Sequence, residues 1–124
     1  MKTIYFTYIE YVISQAVDAV FENDLYSAYK RRFSEIKEDV MKEKDSLLFF
    51  QRLKDSLKIT LNNLDKISLF QFFFMDELAP SDENENLKEI FFLMWKVFFP
   101  NENWQDENYK EIFFEIDYER YLYQ

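Results

Sequence analysis

Glycine is absent from this chain of 124 residues, in which ordinary usage of about 7% would place about nine glycines. Tight β-hairpins, bulges and phosphate-binding loops use glycine where the backbone needs a positive φ. Its absence excludes both the P-loop and the glycine-rich dinucleotide fingerprint. It also argues against a multistranded sheet, whereas helices joined by Asn, Asp, Ser and Pro connections need no glycine. The missing glycines therefore favour an all-α fold.

Cysteine and histidine are absent as well. The chain therefore cannot form a disulfide, a thiolate nucleophile, a zinc site or an iron–sulfur cluster. It also lacks the side chain that most often serves as a general base near neutral pH. Carboxylates alone can carry catalysis, but enzymes usually hold them in glycine-containing loops on larger scaffolds. We therefore predict that the protein is not an enzyme and that it holds no cofactor and no metal ion.

The composition is that of a folded protein. Hydrophobic residues make up 48% of the chain and aromatic residues 21%, which separates it from disordered sequences despite a net charge of -9. Its length fits a single helical domain, 1–124, and not two domains. Glu10 interrupts the apolar run that begins at Ile4, and together with Asp18 it makes residues 4–21 a poor membrane span. The sequence thus predicts a cytoplasmic protein that does not enter a membrane.

The longest apolar segment runs from Leu87 to Phe99 and has almost no polar side. Apolar side chains recur there at spacings of three and four, and further ones fill much of the remaining circumference. A helix of this kind is buried or shows part of itself to a partner. Phe92 and Phe99 lie in line with the two lysines of the segment, so either another helix covers them or they form an exposed aromatic patch. We predict that this is the central helix and that Pro100 ends it.

The first segment is rich in the strand-forming residues Tyr, Phe, Ile and Val, but its polar residues recur at steps of three and four. A narrow polar stripe of this period indicates a helix and not the alternation of a strand. The stripe consists of Thr3, Thr7, Glu10, Ser14, Asp18 and Glu22. We therefore predict a helix that extends to Asn23, after which Asp24 caps the next one.

The periodicity of the whole chain predicts an all-α fold, an irregular bundle of five or six helices with an aromatic-rich core. A second helix runs from about Leu25 to Met41, and Asp45 or Ser46 caps a third, with residues 42–45 as the turn of a helical hairpin. A short phenylalanine-rich helix follows from Ser68.

The last part of the chain contains two further helix signals. Ser81 precedes an acidic first turn that suits the start of the central helix. A last helix is predicted from about Asp106 to Tyr123. Its inward side chains are predicted to be Tyr109, Ile112, Phe113 and Ile116.

Charge is unevenly distributed along the chain. The net charge is -3 over residues 1–24, +3 over 25–66 and -9 over 67–124. The acidic last part also holds 16 of the 26 aromatic residues. Such a region can steer a basic macromolecule and then bind it. The one basic cluster, residues 30–32, is a poor nucleic-acid footprint in so acidic a chain, so no direct nucleic-acid binding is predicted.

Four glutamates recur at steps of four in the predicted last helix. They are Glu107, Glu111, Glu115 and Glu119. Like charges at this spacing destabilise a helix by about 0.2–0.5 kcal/mol per pair, so helix stability does not explain them. One hypothesis is an acidic ridge that binds Lys and Arg side chains of a partner, with Tyr118 and Tyr121 as anchors at its rim. The alternative is an ordinary solvated face whose repulsion is screened by salt.

Trp104 lies in an otherwise polar stretch between Asn103 and Gln105. It either caps the core or anchors a partner. The residues that we predict to bind a partner are Phe92, Phe99, Trp104, Glu107, Glu111, Glu115, Tyr118, Glu119 and Tyr121.

Two hypotheses of function follow from the charge and from the excluded activities. The first is a small acidic inhibitor of a basic protein, most concretely an immunity protein that neutralises a nuclease toxin in the same cell. A nucleic-acid mimic that blocks a defence nuclease is a close variant. The alternative is a helical structural or adaptor domain that self-associates, or scaffolds a complex, through aromatic surface. Binding by the inhibitor should weaken as ionic strength rises, whereas hydrophobic self-association should persist.

Overall fold

A computed structural model describes residues 2–16, 24–72, 83–110 and 113–118. These residues are mostly helical, which confirms the predicted helical class. They form four α-helices rather than five or six, and they also form a strand pair. The α-helices are α1 (Phe6–Gln15), α2 (Leu25–Met41), α3 (Ser46–Asn62) and α4 (Glu83–Phe98). The strands are β1 (Lys2–Tyr5) and β2 (Phe114–Asp117), and two short 3₁₀ helices cover Leu69–Phe72 and Glu107–Tyr109.

The second helix follows its local sequence signals. α2 begins at Leu25 and ends at Met41, as the periodicity predicts, and Asp24 caps it. The Ser27 backbone N–H donates to Asp24 Oδ1 over 3.2 Å, and the Ser27 hydroxyl donates to Asp24 Oδ2 over 2.8 Å. The hydroxyl bond and then the backbone bond hold the pKa of Asp24 below its ordinary value. The turn at residues 42–45 leads into α3, yet α2 packs more extensively on α4 than on α3.

The first residues form a strand and not the start of a helix. β1 pairs with β2, and the Tyr5 N–H donates to the Ser56 hydroxyl of α3 over 2.7 Å. These partners satisfy an extended backbone, and the Thr, Ile and Tyr side chains of β1 favour that conformation. α1 buries even Thr7 and Glu10, so it packs on more than one side. The predicted extension of the first helix over residues 17–23 lies outside the described part of the chain.

The prediction of a helix over the last part of the chain is wrong for residues 113–118. The chain forms the 3₁₀ helix Glu107–Tyr109 and then β2, which runs parallel to β1. The register pairs Lys2 with Phe114, Thr3 with Glu115, Ile4 with Ile116 and Tyr5 with Asp117. Parallel strands are joined by long crossovers and not by tight hairpins, so this pair needs no glycine. Strand alternation leaves Phe113 89% exposed, whereas helical spacing predicts it inward.

The fourth helix is buried among other elements of the fold, as its apolar character predicts. α4 packs against α2, α3 and the 3₁₀ helix Leu69–Phe72. Its most deeply buried side chains are Leu87, Phe91 and Met94. The Trp95 indole N–H donates to the Glu102 carbonyl oxygen over 2.8 Å. The Lys37 ammonium donates to the Val97 carbonyl oxygen over 3.0 Å and so satisfies one acceptor at the end of α4.

The phenylalanine-rich segment before α4 is described only in its first residues. The sequence predicts a short helix there, and the chain forms the 3₁₀ helix Leu69–Phe72. Phe72 is fully buried, and its ring centroid lies 5.5 Å from that of Phe91 in α4. Residues 73–82, with the predicted cap Ser81, lie outside the described part of the chain.

Candidate partner-binding surface

Residues 101–118 are here called the acidic segment, and its described residues 101–110 follow α4 and contact the end of α3. The segment has six acidic residues and one basic residue. Asn62 Nδ2 donates to the Trp104 carbonyl oxygen over 2.8 Å, and Asn62 Oδ1 accepts a hydrogen bond from the Asp106 N–H over 3.3 Å. Asn63 Nδ2 donates to the Tyr109 carbonyl oxygen over 2.7 Å. Asparagine has a low helix propensity, yet Asn62 and Asn63 at the end of α3 position the acidic segment.

Two lysines of α3 neutralise part of the acidic segment. Lys54 Nζ lies 2.8 Å from Glu102 Oε2, and Lys58 Nζ lies 3.5 Å from Asp106 Oδ2. The lysines stand one helical turn apart, so they meet successive carboxylates of the segment. Both pairs are partly exposed, and each contributes on the order of 0–1 kcal/mol to stability. Their main effect is to turn these two carboxylates toward the protein itself.

Glu107 and Glu115, two of the four glutamates predicted to form one ridge, do not share a helix face. Glu107 lies in a 3₁₀ helix and Glu115 lies in β2. The strand geometry replaces the helical ridge, because a two-residue period decides which side chains of β2 face solvent. Glu111, Glu119 and Tyr121 lie outside the described residues.

Three exposed side chains stand on or beside β2. Phe113 is 89% exposed, Tyr118 is 57% exposed, and Glu115 is exposed between them. The Thr3 hydroxyl donates to Glu115 Oε1 over 3.1 Å across the strand pair. The Tyr118 hydroxyl donates to Gln71 Oε1 over 2.9 Å, which anchors the ring at its polar end. We refer to Phe113, Glu115 and Tyr118 as the β2 surface.

The sequence-based prediction missed Phe113. The signal that identifies it is the alternation along residues 113–116, in which Phe113 and Glu115 are exposed while Phe114 and Ile116 are half-buried against the core. Such alternation is typical of a strand with one buried face. A strand assignment from these residues predicts the exposure of Phe113.

Three other aromatic residues predicted to bind a partner, Phe92, Phe99 and Trp104, lie at or inside the core. Phe99 is buried. Its ring centroid lies 4.8 Å from the Trp95 ring centroid and 5.3 Å from the Lys54 ammonium. Phe92 and Trp104 are half-buried, with ring centroids 5.1 Å apart. Phe92 also lines a groove of about 270 Å³ between α2 and α4. The fold therefore covers Phe99 and leaves Phe92 and Trp104 at the edge of the core.

A cleft of about 220 Å³ lies beside β1. It is lined by Lys2, Thr3, Tyr5, Asp55, Ile59 and Tyr109. The ammonium groups of Lys2 and Lys58 lie 4.2 and 5.1 Å from the Tyr109 ring centroid. Burial, and then the negative charges of Asp55 and Asp106, raise the pKa of the Tyr109 phenol. A phenol that stays neutral can donate a hydrogen bond to a molecule in the cleft.

Relatives do not identify the function of these surfaces. Comparisons with protein families, curated proteins and solved structures find no match. Among the described helices, none combines the length and the apolar character that crossing a membrane requires. The described residues also bring no three carboxylates together in a group that could hold a metal ion.

The chemistry of the β2 surface suits cationic side chains. Glu115 offers a carboxylate, and the exposed rings of Phe113 and Tyr118 offer apolar area and π-faces. The long stems of Lys and Arg pack on apolar surface while their charged ends reach a carboxylate or an aromatic face. The exposed side chains on and beside β2 can therefore bind both the apolar stem and the charged end of a basic side chain.

Proposed function

We propose that this protein binds and inhibits a basic protein, most concretely a nuclease toxin made in the same cell, through the β2 surface. The observation that carries the proposal is the exposure of Phe113, Glu115 and Tyr118 on and beside β2, within a region whose net charge is -9. An immunity protein must meet its toxin where the toxin is made, so the proposed compartment is the cytoplasm. The protein acts by contact alone, with no cofactor.

The physical basis is charge complementarity. The nucleic-acid-binding surface of a nuclease is basic, and carboxylates can occupy the positions that phosphates otherwise take. Glu107 and Glu115 supply exposed negative charge, and aromatic rings at an interface bury large areas with few rotatable bonds. Such a surface accelerates association with a basic partner, and salt reduces that acceleration. A nucleic-acid mimic that blocks a defence nuclease would use the same surface in the same way.

The β2 surface is held in place before any partner binds. Thr3 donates to Glu115, and Tyr118 donates to Gln71, so both side chains have fixed positions. Ordering a free side chain at an interface costs about 0.5–1.5 kcal/mol. Pre-organisation by these two hydrogen bonds removes part of that cost, which supports a role in tight binding.

A charge-reversal variant tests the proposal. The tagged full chain is used to capture proteins from its source cell, and the nuclease activity of the captured partner is measured as the chain is added. Glu107→Lys with Glu115→Lys should weaken capture and inhibition at least about tenfold, which is about 1.4 kcal/mol. The matched control carries Glu38→Lys and Asp39→Lys on the exposed face of α2, and it should bind like the unaltered chain.

The salt dependence of association tests the same proposal. Association of the unaltered chain should slow as salt is added, because steering between opposite charges is screened. The proposal is overturned if the reversal at residues 107 and 115 leaves capture and inhibition unchanged, or if the captured protein is not inhibited.

A second candidate function is a helical adaptor domain that self-associates. It is supported by three exposed apolar side chains at the end of α2 and the start of α3, where Met41, Leu47 and Leu48 are 60%, 85% and 43% exposed. Exposed apolar side chains near one another can form an interface between copies. Sedimentation at rising concentration distinguishes the candidates, since a chain that stays monomeric throughout removes this one.

A further inference from the structure

β1 has hydrogen-bond partners along both of its edges. On one edge, the Lys2 N–H donates to the Phe113 carbonyl oxygen over 3.3 Å, next to the ladder with β2. On the other edge, the Tyr5 N–H donates to the Ser56 hydroxyl over 2.7 Å. Backbone groups alternate in direction along a strand, so Lys2 and Ile4 face β2 while Thr3 and Tyr5 face α3.

Within the described residues, β2 has a partner strand along only one of its two edges. The register places Phe114 opposite Lys2 and Ile116 opposite Ile4. In a parallel pair, a residue bonds to the two neighbours of the residue opposite it, so β1 uses the backbone groups of odd-numbered residues of β2. The N–H and C=O groups of Phe114 and Ile116 therefore face away from β1. In the part of the chain that the structure describes, no backbone hydrogen bond joins them to another element.

An open strand edge is a template for another strand. A second copy of β2 is a poor occupant of this edge, because it would bring the carboxylates of Glu115 and Asp117 close to their own copies, and like charges on neighbouring strands are destabilising. β2 contains Glu115 and Asp117 and no basic residue. The charge along this edge therefore fits a strand that carries Lys or Arg.

We propose that β2 receives a third strand, an extended segment of the basic partner protein, along the edge formed by Phe114 and Ile116. Basic side chains of that segment lie beside Glu115, and an apolar side chain packs on the exposed ring of Phe113. Facing side chains on neighbouring strands stand about 4.5–5.5 Å apart, which is close enough for an ion pair. This inference rests on the proposed function and names the part of the partner that the β2 surface binds.

Hydrogen exchange at single amides tests the added strand. The probe is a soluble peptide of alternating valine and lysine, mixed with the isotope-labelled full chain and followed by NMR. At a free peptide concentration of about ten times its Kd, exchange at Phe114 and Ile116 should slow about tenfold, because only about a tenth of the molecules then lack the third strand. The Glu115 amide, which already faces β1, should change little.

Matched controls separate strand addition from attraction between charges. A helical peptide of alanine and lysine with the same net charge is the control probe. Glu115→Lys should weaken binding of the strand peptide about tenfold, which is about 1.4 kcal/mol. Glu38→Lys makes the same change of charge on α2 and should leave binding unchanged.

The outcomes distinguish this inference from the function on which it rests. Protection of Phe114 and Ile116 by the strand peptide, and not by the helical one, supports the third strand. Binding without protection at these amides, or no binding of the strand peptide, overturns it. Neither result bears on nuclease inhibition, and the proposed function fails separately if reversal at residues 107 and 115 leaves that inhibition intact.

Discussion

Replacement of Asn63 by leucine should destabilise the protein strongly, because this side chain joins α3 to the acidic segment. Asn63 is 1% exposed. Its Nδ2 donates to the Ile59 carbonyl oxygen over 2.8 Å and to the Tyr109 carbonyl oxygen over 2.7 Å. Leucine has the same branched shape but no donor, and its methyl groups are larger than the amide group. Asn63→Leu therefore deprives two carbonyl oxygens of this partner and opens no cavity.

The magnitude follows from the burial of these groups. A buried polar group that loses its partner costs about 1–3 kcal/mol. Tyr109 is only half-buried, so water can partly replace the lost donor at its carbonyl, whereas the Ile59 carbonyl lies within α3. Leucine gains about 1.5–3 kcal/mol from apolar burial, and the crowding of its larger methyl groups, which costs about 1–3 kcal/mol, offsets that gain. The expected net loss is about 2–3 kcal/mol, or about 6–15 °C in Tm for a domain of this size.

Urea unfolding followed by tryptophan fluorescence measures the effect, because Trp95 is buried and Trp104 lies in the acidic segment. The matched control is Asn101→Leu, since Asn101 is exposed in the loop after α4. The control should change the free energy of unfolding by less than about 0.5 kcal/mol. A similarly small change for Asn63→Leu would refute the role given to its hydrogen bonds.

Two further predictions concern titratable groups. Asp24→Ala should lower the stability of α2. The pKa of Asp24 is lowered in the fold, so the contribution of this carboxylate to the free energy of unfolding is present above its unfolded pKa of about 3.9. That contribution is lost as pH falls through the folded pKa. Urea unfolding of both chains at neutral and acid pH checks this, and a stability difference that persists in acid contradicts it. The raised pKa of Tyr109 means that its contribution is present below about pH 10 and is lost as pH rises through the folded pKa. NMR titration of its ring signals should give a midpoint above about 10, and a midpoint below that value would show that burial does not govern this phenol.

α2 could be predicted because its signals are local. Its apolar period, the cap at Asp24 and the polar turn at residues 42–45 all act within a few positions of the backbone that they govern. The burial of α4 could be predicted for a related reason, since a helix that is apolar nearly all round has to be covered.

The strand pair could not be predicted from the same patterns. A step of four residues fits one turn of a helix and also two repeats of a strand, so the spacing from Glu111 to Glu115 favours neither. The spacing from Thr3 to Thr7 has the same ambiguity. The absence of glycine disfavours tight hairpins, but it has no bearing on a parallel pair with helices in its crossover.

The positions of the candidate site depend on contacts between distant parts of the chain. Asn63 bonds to a carbonyl oxygen 46 positions later, and Thr3 bonds to Glu115 across 112 positions. No periodicity within a helix or a strand contains that information. The exposure of Phe113 was within reach of the sequence, because it follows from local alternation once β2 is assigned as a strand.

The distance along the chain between the two strands sets the order in which the protein is completed during its synthesis. Ribosomes add about 5–20 residues per second, so β1 waits roughly 6–20 s for its partner strand to be made. Closing so long a loop is also entropically costly, which delays strand pairing further. The helices from α1 to α4 emerge before β2 and can pack while β1 still lacks its ladder. The surface proposed to neutralise a toxin is therefore completed after the helices, and a nascent chain gains β2 only after α1 to α4 have been made.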